Sequence, residues 1–405
     1  MLAKTILLPA LALAGAVAAN SQPTLCAQPT ATITNAADAS QLAQCTSVSG
    51  TIVLSPDAAG SIDISGPKEI QGDFIAHSAG NLVGLTSSTI QSIGGSFDLF
   101  NLTTLSTLAF SKLTSSNTII WNALPALGQL TLTDFISQAS SVTIENTGLT
   151  TLDGINLDTV DTMDINNNRR LTTISTQVGS VGTLLNIASN GLALSVDLPN
   201  LIWASNATFR NASTISIPSL SVINGTLTFD ENTLSSLSAP NLTSIGDAKH
   251  GIGSFTFVGN PGVQNLTFPA LTSIAGANEI ANNTALTTIS FPALTYVGGA
   301  IDFSGNFTTP NLNALKTVKG GFSLESTATI DCSKFKAESG ASSTLQGSFN
   351  CESATDNPQP NISGTSTGSS SSASATSSKG AAVSYGINEA VAGLSVIGGI
   401  LQILL

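Results

Sequence analysis

Apolar and polar residues alternate in short runs along most of this chain, as in Leu227-Thr228-Phe229, Phe255-Thr256-Phe257 and Ile301-Asp302-Phe303. A period of two marks a strand with one face in a core and the other in solvent. Each run is followed by an asparagine, at Asn146, Asn168, Asn190, Asn211, Asn232, Asn260, Asn283 and Asn306. Two or three residues later comes an apolar residue, as at Leu149, Leu171, Leu192, Leu234, Val263 and Leu286. The asparagines are expected at a corner, where a side-chain amide bonds to turn backbone and to the asparagine of the next copy. The apolar residues are expected to fill the core inside that corner.

The unit repeats. Phe268-Pro269-Ala270-Leu271-Thr272-Ser273-Ile274 returns as Phe291-Pro292-Ala293-Leu294-Thr295-Tyr296-Val297, with earlier copies at Ile217–Ile223 and Ala239–Ile245 and a worn one at Asn313–Val318. The asparagine register gives gaps of 22, 22, 21, 21, 28, 23 and 23 residues, and the long gap holds Gly246–Gly253, an inserted loop. One unit cannot bury its own apolar face, so neighbours must stack. The expected fold is a mostly β, right-handed parallel β-helix or leucine-rich solenoid of about 22 residues per rung, some thirteen rungs and roughly 60 Å long. It spans residues 51–328, although 51–140 repeat less cleanly. A single rod and two tandem domains both satisfy the pattern.

Both ends of the chain carry processing signals. Lys4 and the apolar, Ala/Leu-rich stretch to Ala19 form a signal peptide (1–19), with cleavage before Asn20 or one residue earlier. At the other end a Ser/Thr-rich stalk (353–380) leads to Gly380, Ala381 and Ala382, a mildly polar spacer, and an apolar tail from Val391 to Leu405. This is the arrangement that directs glycosylphosphatidylinositol (GPI) attachment and removal of the tail, here 381–405. Gly380 is the expected attachment residue, with Ser378 and Ala381 as alternates.

Composition agrees with an extracellular destination. Only 9% of residues are charged, 12 Lys plus Arg against 24 Asp plus Glu, for a net charge of −12. Solubility could then rest on glycans, and nine Asn-x-Ser/Thr sites are present: Asn101, Asn206, Asn211, Asn224, Asn241, Asn265, Asn282, Asn306 and Asn361. Nucleic acid is excluded as a partner by the acidic balance and the lack of a basic patch. The four cysteines form two pairs, Cys26 with Cys45 and Cys332 with Cys351, each 19 residues apart. In an elongated fold the local pairing is the easy one, and each cystine is expected to close a terminal cap, 20–50 and 329–352.

These features together resemble the fungal Ecm33/Sps2-type GPI-anchored cell-wall glycoproteins: the leader, the cysteine pair at each end, the repeated Pro-Ala/Asn-Leu-Thr-Ser-Ile phrase, the stalk and the tail. Their repeats are similar to the leucine-rich L domains of growth-factor receptors. The resemblance implies a fungal source, a lipid anchor at the plasma membrane with transfer to wall glucan, and a non-enzymatic part in wall integrity. It carries no catalytic signature.

The reactive side chains form no catalytic constellation. Candidate acids (Asp63, Asp73, Asp98, Glu145, Asp153, Asp158, Asp161, Asp164, Asp230, Glu231) scatter over the rungs, and Asp164 and Asp230 stand three rungs apart, too far for a glycosidase pair. His77 and His250 cannot form a metal cluster, and Gly94-Gly95, Gly298-Gly299 and Gly320-Gly321 complete no nucleotide loop. No catalytic residue, metal or cofactor is expected. A wall glucan or mannan is the expected macromolecular partner, and exposure of both Trp121 and Trp203 on one flank would strengthen a sugar-binding reading.

Overall fold

A computed structural model describes residues 24–360, all within one compact unit (Met1–Ile362). The signal peptide, Asn361, the rest of the stalk, Ser378, Gly380, Ala381 and the tail lie outside the described residues. The chain winds into a parallel β-solenoid of about 14 turns with about 22 residues each. A 22-stranded sheet forms the main face, and sheets of four, three and two strands complete the other sides.

The register of the main sheet is the sequence repeat made physical. Phe229 pairs with Phe257, Phe257 with Ile280, Ile280 with Phe303 and Phe303 with Leu324. Inward residues therefore lie over inward residues, and one apolar core runs through the stack. Aromatic rings follow it: Phe209 stacks on Phe229 at 5.4 Å between centroids, and Phe268 on Phe291 at 5.6 Å. In the first rungs Phe74, Phe97, Phe110 and Trp121 meet edge to face or tilted instead.

The proline phrase builds a turn. Leu220 N–H bonds to Ile217 O, Leu242 to Ala239 O and Leu294 to Phe291 O. Pro218, Pro240 and Pro292 sit at the second turn position, where a fixed φ helps and no donor is needed. In each copy three side chains point inward, as Ile217, Leu220 and Ile223 do with 0% exposure. Between this side and the main strands, backbones approach so closely that a Cβ on Gly320 would lie 2.5 Å from the carbonyl carbon of Gly299. The doublet glycines serve this crossing.

One expectation for the core needs correcting. Leu149, Leu171, Leu234, Val263 and Leu286 are buried, but Leu192 is 92% exposed. In that rung the turn begins at Gly191, whose carbonyl accepts from Leu194 N–H, and Leu194 fills the core. A rung lengthened by one residue moves the inward position with it. The loop at 246–253 is the expected insertion, closed by an antiparallel bridge between Asp247 and Ile252.

Both ends are closed locally. Cys26 is bonded to Cys45 and Cys332 to Cys351. At the start, α1 (Ala36–Gln41) is N-capped by Asn35, whose Oδ1 accepts from Ala37 N and Asp38 N at 2.9 and 3.1 Å. Ala39 and Leu42 seal the first rung. At the other end, α2 (Cys332–Lys336) is capped by Asp331 and lays Phe335 on Phe322 at 5.1 Å. These elements cover apolar ends that would otherwise invite end-to-end association.

Candidate functional site, the strand face and its asparagine corner

The corner after the main strands is built in two adjacent columns. The first comprises residues in the left-handed region: Ser78, Asn101, Ala123, Asn146, Asn167, Ser189, Asn211, Glu231, Gly259 and Asn282, with φ between 51° and 68°. Asparagine and glycine tolerate this conformation best. The residue that follows each of them turns inward.

In five of the middle and later rungs that inward residue is asparagine. Asn168, Asn232 and Asn260 are fully buried, and Asn190 and Asn283 nearly so. Each carbonyl oxygen accepts from the preceding rung. Asn232 N and Nδ2 donate to Asn260 Oδ1 at 3.1 and 3.0 Å, and Asn260 N donates to Asn283 Oδ1 at 2.8 Å. The amides also satisfy strand carbonyls, Asn232 that of Phe209, Asn260 that of Phe229 and Asn283 that of Phe257. Asn168 and Asn190 form the same pair lower in the stack. Burial without partners would be costly, and the ladder removes that cost by reciprocal bonding.

Three of the expected ladder members stand outside it. Asn146 and Asn211 occupy the left-handed column, and the inward positions belong to Thr147 and Ala212. Thr147 N and Oγ1 both donate to Asn168 Oδ1, and Ala212 N donates to Asn232 Oδ1. Asn306 is exposed, and Phe307 is buried beside it. The physical reason is that both columns select asparagine, one for its φ and the other for its amide. A register built on residue type alone merges them. The doublets Asn167-Asn168 and Asn282-Asn283 were the available signal for two columns.

The sequons consequently sit at the surface in several places. Asn101, Asn211 and Asn282 belong to the left-handed column, with Asn306 beside it. Asn101 Nδ2 donates to Ser78 Oγ and Asn211 Nδ2 to Glu231 O. Asn206 lies on the strand face, bonded to Thr183 O and to Thr226 N. Asn224, Asn241 and Asn265 are exposed elsewhere.

The outward strand face carries a polar network that the sequence pattern does not reveal. Asn166 Nδ2 donates to both Glu145 Oε1 and Asp164 Oδ1 at 2.8 Å, and Asn122 and Asn186 donate to the same two carboxylates from the flanking rungs. Glu145 and Asp164 are thus neighbours, tied by the one shared amide of Asn166. Farther along, Arg210 bridges Asp230 and Glu231, with its shortest bond, 2.6 Å, to Glu231. Burial pushes Asp230 above the ordinary carboxylate range, since Arg210 opposes this only in part. The hydrogen bond to Glu231 raises Arg210.

His77 pairs with Asp98 at 3.0 Å on the strand face, and His250 with Asp247 in the inserted loop. Among the described residues, no group of three or more His, Cys, Asp or Glu is placed to hold a metal, and no helix is long and apolar enough to cross a membrane. Trp121 is fully buried in the core, and only Trp203 reaches the surface, so they form no paired sugar platform. Two surface hollows lie at the asparagine corner, of about 220 and about 360 Å³, and neither is lined by an acidic residue.

Comparison with known proteins places this architecture. A family model described as a GPI-anchored cell wall organization protein, Ecm33, matches residues 4–43. Protein ecm33 of Aspergillus fumigatus is 40% identical over 370 residues, 90% of each chain. A cell surface GPI-anchored protein of Arthroderma benhamiae is 36% identical over 330 residues, covering 81% of this chain and 83% of that one. Sporulation-specific protein 2 of Saccharomyces cerevisiae is 31% identical over 309 residues, 75% of this chain and 60% of its own. No solved structure matches significantly.

Proposed function

From the premise that this chain belongs to the Ecm33 family of fungal GPI-anchored cell-wall proteins, we infer that its solenoid is a stiff, non-catalytic body held at the cell surface by a lipid tether. The protein is a cell-surface and cell-wall component that travels the secretory pathway and serves wall organisation. Gly380 receives the anchor, and the residues from 353 onward act as the spacer.

The observation that carries the non-catalytic reading is the saturation of the strand face. Glu145 and Asp164, neighbours there through Asn166, accept from three amides between them. Such a surface of amides, hydroxyls and carboxylates suits lateral contact with a neutral wall polysaccharide, glucan or mannan. Expression of a chain ending at Ser378 beside the full chain, in cells lacking the endogenous protein, tests the tether: rescue of wall integrity by the freely secreted form would overturn it.

A second reading has one observation in its favour. Two carboxylate oxygens that share one amide nitrogen lie within the separation used by retaining glycosidases, ~5–5.5 Å. Release of sugars from wall glucan or mannan by the purified body, abolished by Glu145→Gln, would establish that reading.

A further inference from the structure

The strand face is closed over near its end. Outward-facing Ser304, Ser323 and Glu325 are 3%, 7% and 9% exposed, whereas Asp164 and Thr208 in the middle rungs are partly open. Part of the cover is the chain beyond the last strand (Phe349–Ser353). It bends at Ala354, with φ of 54°, and Thr355 N–H bonds to Ser326 O. Gln359 N–H then donates to Glu325 Oε2 at 2.9 Å. Pro358 forms one wall of the hollow of about 220 Å³, opposite Asn282, Thr284, Ser304, Asn306 and Thr327.

The lining of this hollow is neutral, amide and hydroxyl with one proline ring, and its size suits one pyranose. Two sequon asparagines open onto it. Asn306 Oδ1 is already held by Thr327 Oγ1 at 2.7 Å, which sets the amide plane, and its Nδ2 bonds to no described residue.

We propose that the first N-acetylglucosamine of an N-glycan on Asn306 seats in this hollow and packs on Pro358, fastening residues 354–360 to the strand face. The proposal rests on passage through the secretory pathway. There Asn306 Nδ2 forms a bond to sugar C1, lipid-linked pyrophosphate leaves that carbon, and the amide loses one proton and keeps the other. Asn282, one rung away at about 4.8 Å, is too close for a second sugar to share the space.

The test uses the full chain from a fungal host. Glycopeptide mass spectrometry should find Asn306 occupied. Endoglycosidase H trimming, which leaves one N-acetylglucosamine, should preserve slow hydrogen exchange at 354–360, whereas Asn306→Gln and Thr308→Ala, each of which removes the sequon, should both speed it at least tenfold. An unoccupied Asn306, unchanged exchange in both sequon variants, or an effect that follows Asn282→Gln instead would each overturn the assignment. None of these readouts depends on wall phenotype, so failure here is separable from failure of the structural role.

Discussion

The same corner is made in two ways along one molecule. In the early rungs the inward residue after the left-handed position is apolar, Ala79, Leu102 and Leu124, all fully buried. In the later rungs it is Asn232, Asn260 and Asn283, equally buried and bonded rung to rung. The apolar corner needs only volume, and each rung can be satisfied on its own. The amide corner needs the rungs above and below in register, so it couples neighbours and penalises a slip by one residue. The difference teaches that the backbone conformation defines the corner, while the side chain decides how strongly adjacent turns depend on each other.

The comparison breaks most visibly at the centre of the ladder. Asn260→Leu removes donors for Phe229 O, Val258 O and Asn283 Oδ1 and the acceptor for Asn232. A loss on the order of 4 kcal/mol is expected by urea denaturation, with raised hydrogen exchange in the rungs on both sides. Leu102→Ala should cost about 3 kcal/mol through its cavity, with the exchange increase confined to its own rung. Equal spread of the disturbance in the two variants would remove the distinction between coupled and independent corners.

Smaller substitutions sharpen the role of φ. Gly259→Ala places a Cβ at φ 68° with its nearest contact at 3.5 Å, so strain and not collision is the cost, about 1 kcal/mol. Ser189→Gly, at φ 55° in the equivalent place, should be within about 0.5 kcal/mol of neutral. Thermal unfolding of the two variants checks the asymmetry.

The smallest effects are those of pH. Asp230 has a raised pKa in the fold, so its contribution is fully present below the unfolded value of 3.8 and is lost as pH rises through the folded value. Asp331, lowered by its bond from the Ser333 hydroxyl, contributes above 3.8, and that contribution is lost as pH falls through its folded value. Stability measured against pH should therefore change sign of slope between Asp230→Asn and Asp331→Asn when each is subtracted from the parent.

Much of this was legible in the chain. Period-two runs such as Phe255-Thr256-Phe257 and the recurring Pro-x-Leu phrase specified strands, turn and rung length, because each reflects a local steric or burial requirement. The cystine pairing followed from elongation. The left-handed column was legible only at the doublets Asn167-Asn168 and Asn282-Asn283, because Ser189, Glu231 and Ala123 share no chemistry with Asn146; only the backbone they adopt unites them. Nor was the Glu145–Asn166–Asp164 contact, which depends on register between rungs and on which outward side chains reach sideways.

The cystine at the last rung also defines a load path. A pull on the chain beyond residue 360 meets first the bond from Gln359 to Glu325, then those from Thr355 to Ser326 O and from Ala354 to Ala328 O, and then reaches Cys351. From there tension crosses the sulfur–sulfur link directly to Cys332, so the 18 residues between the two cysteines (333–350), most of α2 included, carry no load. Residues 333–350 cannot be drawn out as slack. The C-terminal cap behaves as a mechanical stop, and a tether under tension from a growing or swelling wall would strain the stacked rungs before it could unravel the end.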